Sequence, residues 1–211
     1  MTSLRIAFNL NNRAVVQLHD GVFTGPAAEV ARHIAEALGD VTLKGYADAR
    51  SVLQDVGSGW DMAFLAADPK RAHLMRFSTP YLEVRATLIL HEGNPATTFA
   101  EFLATGQPIL SVAGAAYHGH LAGLVPESCL IAAESAADAR ERFADGDAPA
   151  LAGLRATFAD RPFPETRMLQ NDFAIISQAV ALAPEAASLL DTVEIAIHKA
   201  MAELTLDASF G

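Results

Sequence analysis

The chain has 211 residues, which is enough for one large domain or for two lobes of about 100 residues each. Its composition, 51% hydrophobic and 19% charged, is that of a globular protein and excludes a disordered one. The net charge of −10 at pH 7 repels nucleic acid and anionic membrane surfaces on average, so we predict no nucleic-acid partner. The single cysteine, Cys129, excludes an intrachain disulfide.

The amino terminus carries no pattern of a secretory leader. Met1 is followed at once by the strand pattern LRIAF (4–8), without a basic segment or a long apolar segment. No run of about 20 apolar residues predicts a transmembrane helix. We therefore expect a periplasmic protein if a leader has been removed, and a cytoplasmic protein otherwise.

The first elements along the chain alternate between strands and helices. Strands are predicted from short apolar runs at 4–8, 41–43 and 62–66. Helices are predicted from Pro26 to the stop signal at Gly39, and again near 49–56. This order is typical of βαβ units and therefore of an α/β fold.

The segment after the third strand carries the most informative signal. Asp68 and Pro69 have the residue types of an N-cap and a first helical position, so a short helix is predicted to carry Arg71. That helix begins just past the carboxyl end of a strand, which is where open α/β sheets bind small molecules. An extended apolar run follows at 84–90.

The second half of the chain repeats this alternation. Its predicted elements are helices at 99–103 and 136–143, a helix start at 114–117, strands at 108–112 and 150–152, an extended run at 173–180 and a long amphipathic helix at 186–204. We predict two lobes, residues 1–88 plus 178–211 and residues 89–177, joined by crossings near residues 88 and 177.

These stretches together resemble a known family. The chain resembles the type II periplasmic solute-binding proteins, specifically the extracellular family 3 group that serves ABC importers of amino acids and related solutes. The segment at 60–84 is the most specific, because it keeps the order of aspartate, apolar strand, arginine and FS-PY turn. The matching stretches are LRIAFNLNN (4–12), DGVFTGPAAEVARHIAEALG (20–39), WDMAFLAADPKRAHLMRFSTPYLEV (60–84), PILSVAGAAYHGHL (108–121), ADGDAPALAGLR (144–155) and FAIISQAV (173–180).

The resemblance implies a two-lobed type II periplasmic-binding-protein fold, in which each lobe is a mixed sheet flanked by helices and the lobes close over a ligand at two hinge crossings. It implies the substrate-binding component of an ABC-type importer, with no catalytic residue, no cofactor and no bound metal. The expected partners are a small-molecule carboxylate and an ABC permease, and the expected state is a monomer.

The resemblance also implies site residues. An arginine at the position of Arg71 grips the α-carboxylate of the ligand, which a guanidinium does through two parallel hydrogen bonds. A helix start on the second lobe presents backbone N–H groups to the same anion. Gln178 lies in the second crossing, where a hinge role and a ligand contact are equally open. The further candidates are Asn9, Asn12, Tyr46 and Ala66 on the first lobe, and Ala115, Ala116, Tyr117 and Phe173 on the second.

Three departures from the family pattern bear on the ligand. Pro149 stands in the strand where amino-acid binders carry an acidic residue for the ligand's ammonium. Ala115 stands at the helix start where a hydroxyl is usual, and Ala66 and Ala67 precede Arg71 without hydroxyls. We therefore predict that the ligand is a carboxylate with an apolar or aromatic body, rather than a standard α-amino acid.

Two other functions remain open from the sequence. The first is an enzyme on the same fold, a dehydratase-like or cytoplasmic cofactor-pathway enzyme, with His118 or Glu83 as its general acid. The second is a ligand-sensing module that acts through a protein partner. The pair His118 and His120 does not predict a metal site, because residues two apart on a helix do not share a face. His33, like the other scattered histidines, is predicted to be solvated.

Overall fold

The computed structural model describes the backbone of residues 3–209 and the side chains of residues 3–204. The chain divides into two compact units. The first unit runs to Glu83 and resumes at Ser177, and the second is Val84–Ile176. None of the helices in the described part of the chain is both long enough and apolar enough to cross a membrane.

The described residues form twelve strands and seven α-helices. The strands are β1 Leu4–Asn9, β2 Gln17–His19, β3 Val22–Thr24, β4 Val41–Tyr46, β5 Met62–Ala66, β6 Arg76–Phe77, β7 Leu82–His91, β8 Ile109–Val112, β9 Leu130–Ala133, β10 Ala150–Leu154, β11 Thr166–Met168 and β12 Ala174–Leu182. The helices are α1 Pro26–Leu38, α2 Ala49–Gln54, α3 Phe99–Ala104, α4 Ala116–Leu121, α5 Ala136–Ala144, α6 Arg155–Asp160 and α7 Leu190–Ser209.

The first unit contains a mixed sheet in the order β4-β1-β5-β12. β1 runs parallel to both β4 and β5, while β12 runs antiparallel to β5 and also pairs with β6. β2 and β3 form a separate hairpin, whose two-residue loop Asp20-Gly21 has positive φ at both positions. Such Asp-Gly loops match the twist of the flanking strands.

The core of the first unit forms around Trp60 and the helices beside the sheet. Trp60 is fully buried, and its indole N–H donates to the carbonyl oxygen of Val52 at 2.7 Å. The amino end of β5 is tied to β1 by Asp61, which accepts hydrogen bonds from the backbone N–H and the guanidinium of Arg5. Hydrogen bonding from Arg5 is the main reason that the pKa of Asp61 is lowered.

The second unit contains a mixed sheet in the order β7-β10-β8-β9, with β11 on β7. β8 runs parallel to β10 and β9, and β7 runs antiparallel to β10. Its two faces carry separate apolar clusters, because successive side chains of a strand point to opposite faces. Leu88 and Leu90 join the cluster with Phe102, while Ile89 joins the cluster with Phe143.

The predicted mixed α/β architecture is confirmed, and so are most of its elements. α1 begins at Pro26 and is followed by Gly39 at φ 88°, in agreement with the predicted start and stop signals. The sequence prediction missed the β2–β3 hairpin, β9 and α6, which are all short. The predicted helix after Asp68 is one 3₁₀ turn, Pro69–Arg71, rather than an α-helix.

Candidate functional site

The carboxyl end of β5 leads directly into the turn that carries Arg71. Asp68 caps this turn, since its carboxylate accepts a hydrogen bond from the backbone N–H of Lys70 at 2.9 Å. The backbone N–H of Arg71 donates to the carbonyl oxygen of Asp68, which closes the turn. The backbone of Arg71 is therefore fixed by a capped turn five residues after Ala66, the last residue of β5.

The guanidinium of Arg71 is largely buried but weakly paired. Its side chain is only 14% exposed, and its Nε lies 3.5 Å from Oδ2 of Asp68. Among the described residues, that carboxylate is the one acidic group within ion-pair distance of the guanidinium. Burial lowers the pKa of Arg71, and the Asp68 carboxylate opposes this effect. A guanidinium has five N–H donors, so most of its hydrogen-bonding capacity is available to an anion.

Asn12 and Gln178 meet at the same end of β5. Gln178 is 2% exposed and lies opposite Ala66 in the register of β5 and β12. The side-chain amide of Asn12 donates to Oε1 of Gln178 at 3.1 Å. The other amide atom of Asn12, Oδ1, is buried without a hydrogen-bond partner among the described residues. Since buried polar atoms are usually paired, this oxygen is an acceptor available to a bound molecule.

Tyr81 adds a second unpaired polar atom, which the sequence prediction missed. Its backbone N–H donates to the carbonyl oxygen of Gln178, and its ring packs edge-on against Phe64 at 5.6 Å. The hydroxyl is buried with no partner in the described part of the chain, and burial raises its pKa. The FS-PY turn at 77–81 ends at Tyr81 and is the sequence signal that points to this residue.

Asn9 and Tyr46 have structural contacts that explain them without a ligand. Oδ1 of Asn9 accepts from the backbone N–H of Asn11, which is a local turn. Tyr46 is buried in the core of the first unit, and its hydroxyl donates to Asp55 at 2.9 Å. The ammonium of Lys44 lies 4.3 Å from the centre of the Tyr46 ring.

On the second unit, α4 begins at Ala116 with Ala115 as its N-cap and no side-chain cap. The first N–H groups of an α-helix have no partner within the helix. Tyr117 packs against both apolar clusters of the unit, and burial raises the pKa of its hydroxyl. Phe173 packs on Phe99 with ring centres 5.3 Å apart. Both aromatic rings therefore contribute to the core of this unit.

His118 lies on α4, next to Tyr117 in the sequence. Burial lowers the pKa of its ring. Its Nδ1 is buried without a hydrogen-bond partner among the described residues.

Arg155 lies just past the carboxyl end of β10, and the sequence prediction did not identify it as a structural centre. Its Nε donates to Asp172 at 2.6 Å, and its Nη2 donates to Thr87 at 3.2 Å and to the carbonyl oxygen of Leu169 at 2.9 Å. Arg85 also donates to Asp172, at 3.3 Å. The local charge at this strand end is thus cationic, with one carboxylate between two guanidinium groups.

The prediction that His33 is solvated is wrong. His33 is buried, and its Nε2 lies 3.1 Å from Glu203 on α7 and 3.8 Å from Glu29. A guanidinium nitrogen of Arg32 stands among these groups, 2.8 Å from the histidine ring and 2.7 Å from Glu203. Because Arg32 already occupies the centre of this cluster, the arrangement is an ion-pair network that joins α1 to α7.

One family of proteins matches the chain over nearly its whole length. The family model of bacterial extracellular solute-binding proteins, family 3, matches residues 4–210. No curated protein matches the chain by sequence.

Solved structures with the same fold cover almost the whole chain. The substrate-binding protein AbpA of an amino acid ABC transporter of Streptococcus pneumoniae, bound to L-arginine, is 22% identical with a TM-score of 0.79 over 98% of this chain and 92% of its own. A histidine kinase sensor domain similar to periplasmic binding proteins is 18% identical, with a TM-score of 0.80 over 98% and 93%. The GluR0 ligand-binding core with L-glutamate is 14% identical, with a TM-score of 0.79 over 99% and 96%. The predicted type II periplasmic-binding-protein fold is thereby confirmed.

Proposed function

Because the chain belongs to the bacterial extracellular solute-binding proteins, family 3, we propose that it binds a small carboxylate-bearing solute as the substrate-binding component of an ABC-type importer. The family consists of binding proteins, so the chain is a solute-binding protein and not an enzyme, and the dehydratase-like alternative is set aside. We propose that the protein acts outside the cytoplasmic membrane and delivers its solute to a permease. The ligand-sensing module remains a prediction.

The observation that carries the proposal is the state of Arg71. Its guanidinium is 14% exposed, yet its one ion-pair contact among the described residues is a 3.5 Å approach to Asp68. A desolvated cation with unused donors is costly unless an anion completes its shell. A carboxylate would do so through two parallel charge-assisted hydrogen bonds, each contributing about 1.5–3 kcal/mol.

The side chains around Arg71 favour a ligand with few further polar groups. Ala66 and Ala67 supply no hydroxyl, and the unmatched Oδ1 of Asn12 calls for a single donor such as a hydroxyl or an amide N–H. On the second unit, Pro149 stands where amino-acid binders of the family carry an acidic residue for the ligand's ammonium. We therefore propose an organic acid with an apolar or aromatic body, held by closure of the two lobes over it.

A ligand screen by thermal shift tests this class. Aromatic and branched aliphatic carboxylic acids, with and without a hydroxyl group, are compared with the twenty α-amino acids at equal concentration. Stabilisation by the acids, and none by the amino acids, is the expected result. The structural neighbours AbpA and GluR0 hold arginine and glutamate, so amino acids are the competing class. Clear stabilisation by an ordinary α-amino acid at micromolar concentration, with none by the acids, would refute the proposed class.

Mass spectrometry of the small molecules released by denaturing the freshly purified protein identifies a ligand without any choice of library. The proposal expects a carboxylate that is released chemically unchanged. An enzyme would instead convert the same compound when it is added to the intact protein.

A further inference from the structure

β4 is an open edge of the sheet in the first unit. It pairs with β1 on one side, and in the described part of the chain no strand lies along its other side. Half of its backbone N–H and C=O groups therefore face outward. Such rows of unpaired groups are templates for another strand, and proteins usually block them with a charged side chain, a proline or a bulge.

The outer strand of the second unit has a block of this kind, and β4 does not. On β9, the guanidinium of Arg142 donates to the carbonyl oxygen of Ala132 at 3.2 Å. On β4, no described side chain bonds to the outward backbone groups. The one lysine of the strand, Lys44, contacts the ring of Tyr46 and lies 3.5 Å from Asp55, but its side chain is 53% exposed, so its ammonium does not cover the edge and is accessible to a carboxylate of a partner. The edge of β4 is thus accessible.

Apolar surface continues from this edge. A groove of about 550 Å³ runs between α1, the β2–β3 hairpin and β4, and Val41 and Leu43 line it on the strand side. Val22, on the hairpin side of the groove, is 60% exposed, and Leu43 is 40% exposed. Large apolar side chains grouped beside an open edge are typical of an interaction surface.

The sequence of this edge is complementary to itself. Residues 40–44 read Asp-Val-Thr-Leu-Lys. When two copies of this segment run antiparallel with Thr42 opposite Thr42, Asp40 faces the partner's Lys44 and Val41 faces the partner's Leu43. Both pairs occur twice, because a twofold axis relates the copies. Opposite charges and paired apolar side chains across an antiparallel ladder are each stabilising.

We propose that a second copy of this chain pairs with β4 in this register and that the protein forms a twofold-symmetric dimer. The register is specific, because a shift of one residue in either direction takes Asp40 away from the partner's Lys44. Pairing also places Val41 and Leu43 of one copy beside Leu43 and Val41 of the other, so that their apolar surfaces become continuous on the groove side. This differs from the monomer expected from the sequence. Arg71 is not on β4, so the dimer does not depend on the proposed function.

Pairing of two short strands buries less area than a standard stable interface, so the dimer is expected to dissociate in the micromolar range. Sedimentation velocity of the full chain between about 1 and 500 μM should then follow a monomer–dimer equilibrium. A single monomeric species over the whole range would overturn the proposal, and would leave the open edge to a different protein partner.

Charge reversal tests the predicted register. Asp40→Lys and Lys44→Asp each place like charges in both cross-strand pairs and should weaken dimerisation about 10-fold, whereas the double variant Asp40→Lys/Lys44→Asp restores opposite charges and should restore the dimer. Asp145→Lys, an exposed position on the second unit, is the control with the same change of net charge as Asp40→Lys. Melting temperatures confirm folding, since Lys44→Asp also removes the contact with Asp55. Single variants that dimerise like the parent chain would overturn the register.

Crosslinking gives a direct readout of the twofold position. In a Cys129→Ser background, Thr42→Cys places two thiols opposite each other at the axis, within the Cα separation that a disulfide needs. Mild oxidation should convert most of the Thr42→Cys chains to covalent dimers at concentrations where the parent chain is dimeric, and few of the Asp40→Cys chains. Equal crosslinking of both variants would contradict pairing centred on Thr42.

Discussion

Arg71 and Arg155 occupy comparable positions in the two units, but the Arg155 guanidinium is well paired and the Arg71 guanidinium is weakly paired. Each follows the carboxyl end of a strand, Arg71 after β5 and Arg155 after β10. Arg155 donates to Asp172, to Thr87 and to the carbonyl oxygen of Leu169, all within 3.2 Å. Arg71 is the more buried of the two side chains, at 14% exposure against 30%, and has one contact at 3.5 Å.

The difference separates a structural arginine from a binding one. Taking a guanidinium out of water is unfavourable unless hydrogen bonds and a counter-charge compensate it. Contacts within the protein offset the cost of desolvating the Arg155 guanidinium, so removal of this residue should lower stability. Contacts within the protein offset little of this cost for Arg71, so removal of Arg71 should affect binding and leave stability nearly unchanged.

The largest effect on stability is expected at Arg155. Arg155→Ala removes three hydrogen bonds and leaves Asp172 with Arg85 alone, so the free energy of unfolding should fall by about 2 kcal/mol. Urea unfolding followed by circular dichroism measures this change. Arg161→Ala, at an exposed arginine of the same unit, is the control. If Arg155→Ala were as stable as its control, Arg155 would not be a structural arginine, and the contrast with Arg71 would fail.

A smaller effect is expected from Asp61, which is the well-paired acidic group of the first unit. Asp61→Asn removes the charge that Arg5 binds and should cost about 1 kcal/mol at pH 7. The pKa of Asp61 is lowered in the folded state, so this contribution is present above the unfolded pKa of about 3.9 and is lost as pH falls through the folded pKa. The gap in stability between parent and variant should therefore begin to narrow below about pH 4 and should close only once the pH is below the folded pKa. A gap that stayed constant from pH 7 down to the acid unfolding of the protein would show that the charge is not its source.

Arg71 itself should have almost no effect on the stability of the ligand-free protein. Arg71→Ala should change the free energy of unfolding by less than about 0.5 kcal/mol, because the variant loses one long ion pair and also loses a desolvated charge. Urea unfolding beside Arg155→Ala makes the comparison direct. A loss as large as that of Arg155→Ala would mean that Arg71 is structural.

The smallest change is expected at Tyr81. Tyr81→Phe removes a buried hydroxyl that has no partner among the described residues, so stability without ligand should stay the same or rise slightly. A stability loss above about 1 kcal/mol would indicate that the hydroxyl is paired, for example through an ordered water.

The fold could be predicted where elements are long or carry strong end signals. α1 has Pro26 at its start and Gly39 after its end, and β5 is an unbroken apolar run. Short strands such as β9 have too few residues for a period to show. The β2–β3 hairpin did carry a signal, since Asp20-Gly21 lies between apolar residues, but the strands on either side have only three residues each.

The site could be predicted only in part. Residue types at Asp68 and Pro69 indicated the capped turn before Arg71, because capping is a local property. The burial of the guanidinium and the meeting of Asn12 with Gln178 depend on contacts between residues up to 166 positions apart, which no local pattern contains. The structural contacts of Tyr46 with Asp55 arise in the same way, from packing of α2 beside β4.

The most direct test of carboxylate binding by Arg71 is calorimetric titration of the parent protein, Arg71→Ala, Arg71→Lys and Arg76→Ala with the acid that stabilises the parent best. Arg76 is an exposed arginine of the same unit and serves as the matched control. We predict that Arg71→Ala lowers affinity about 10- to 100-fold, that Arg71→Lys binds with intermediate affinity, and that Arg76→Ala binds like the parent. Equal affinity of Arg71→Ala and Arg76→Ala for that acid would contradict this prediction.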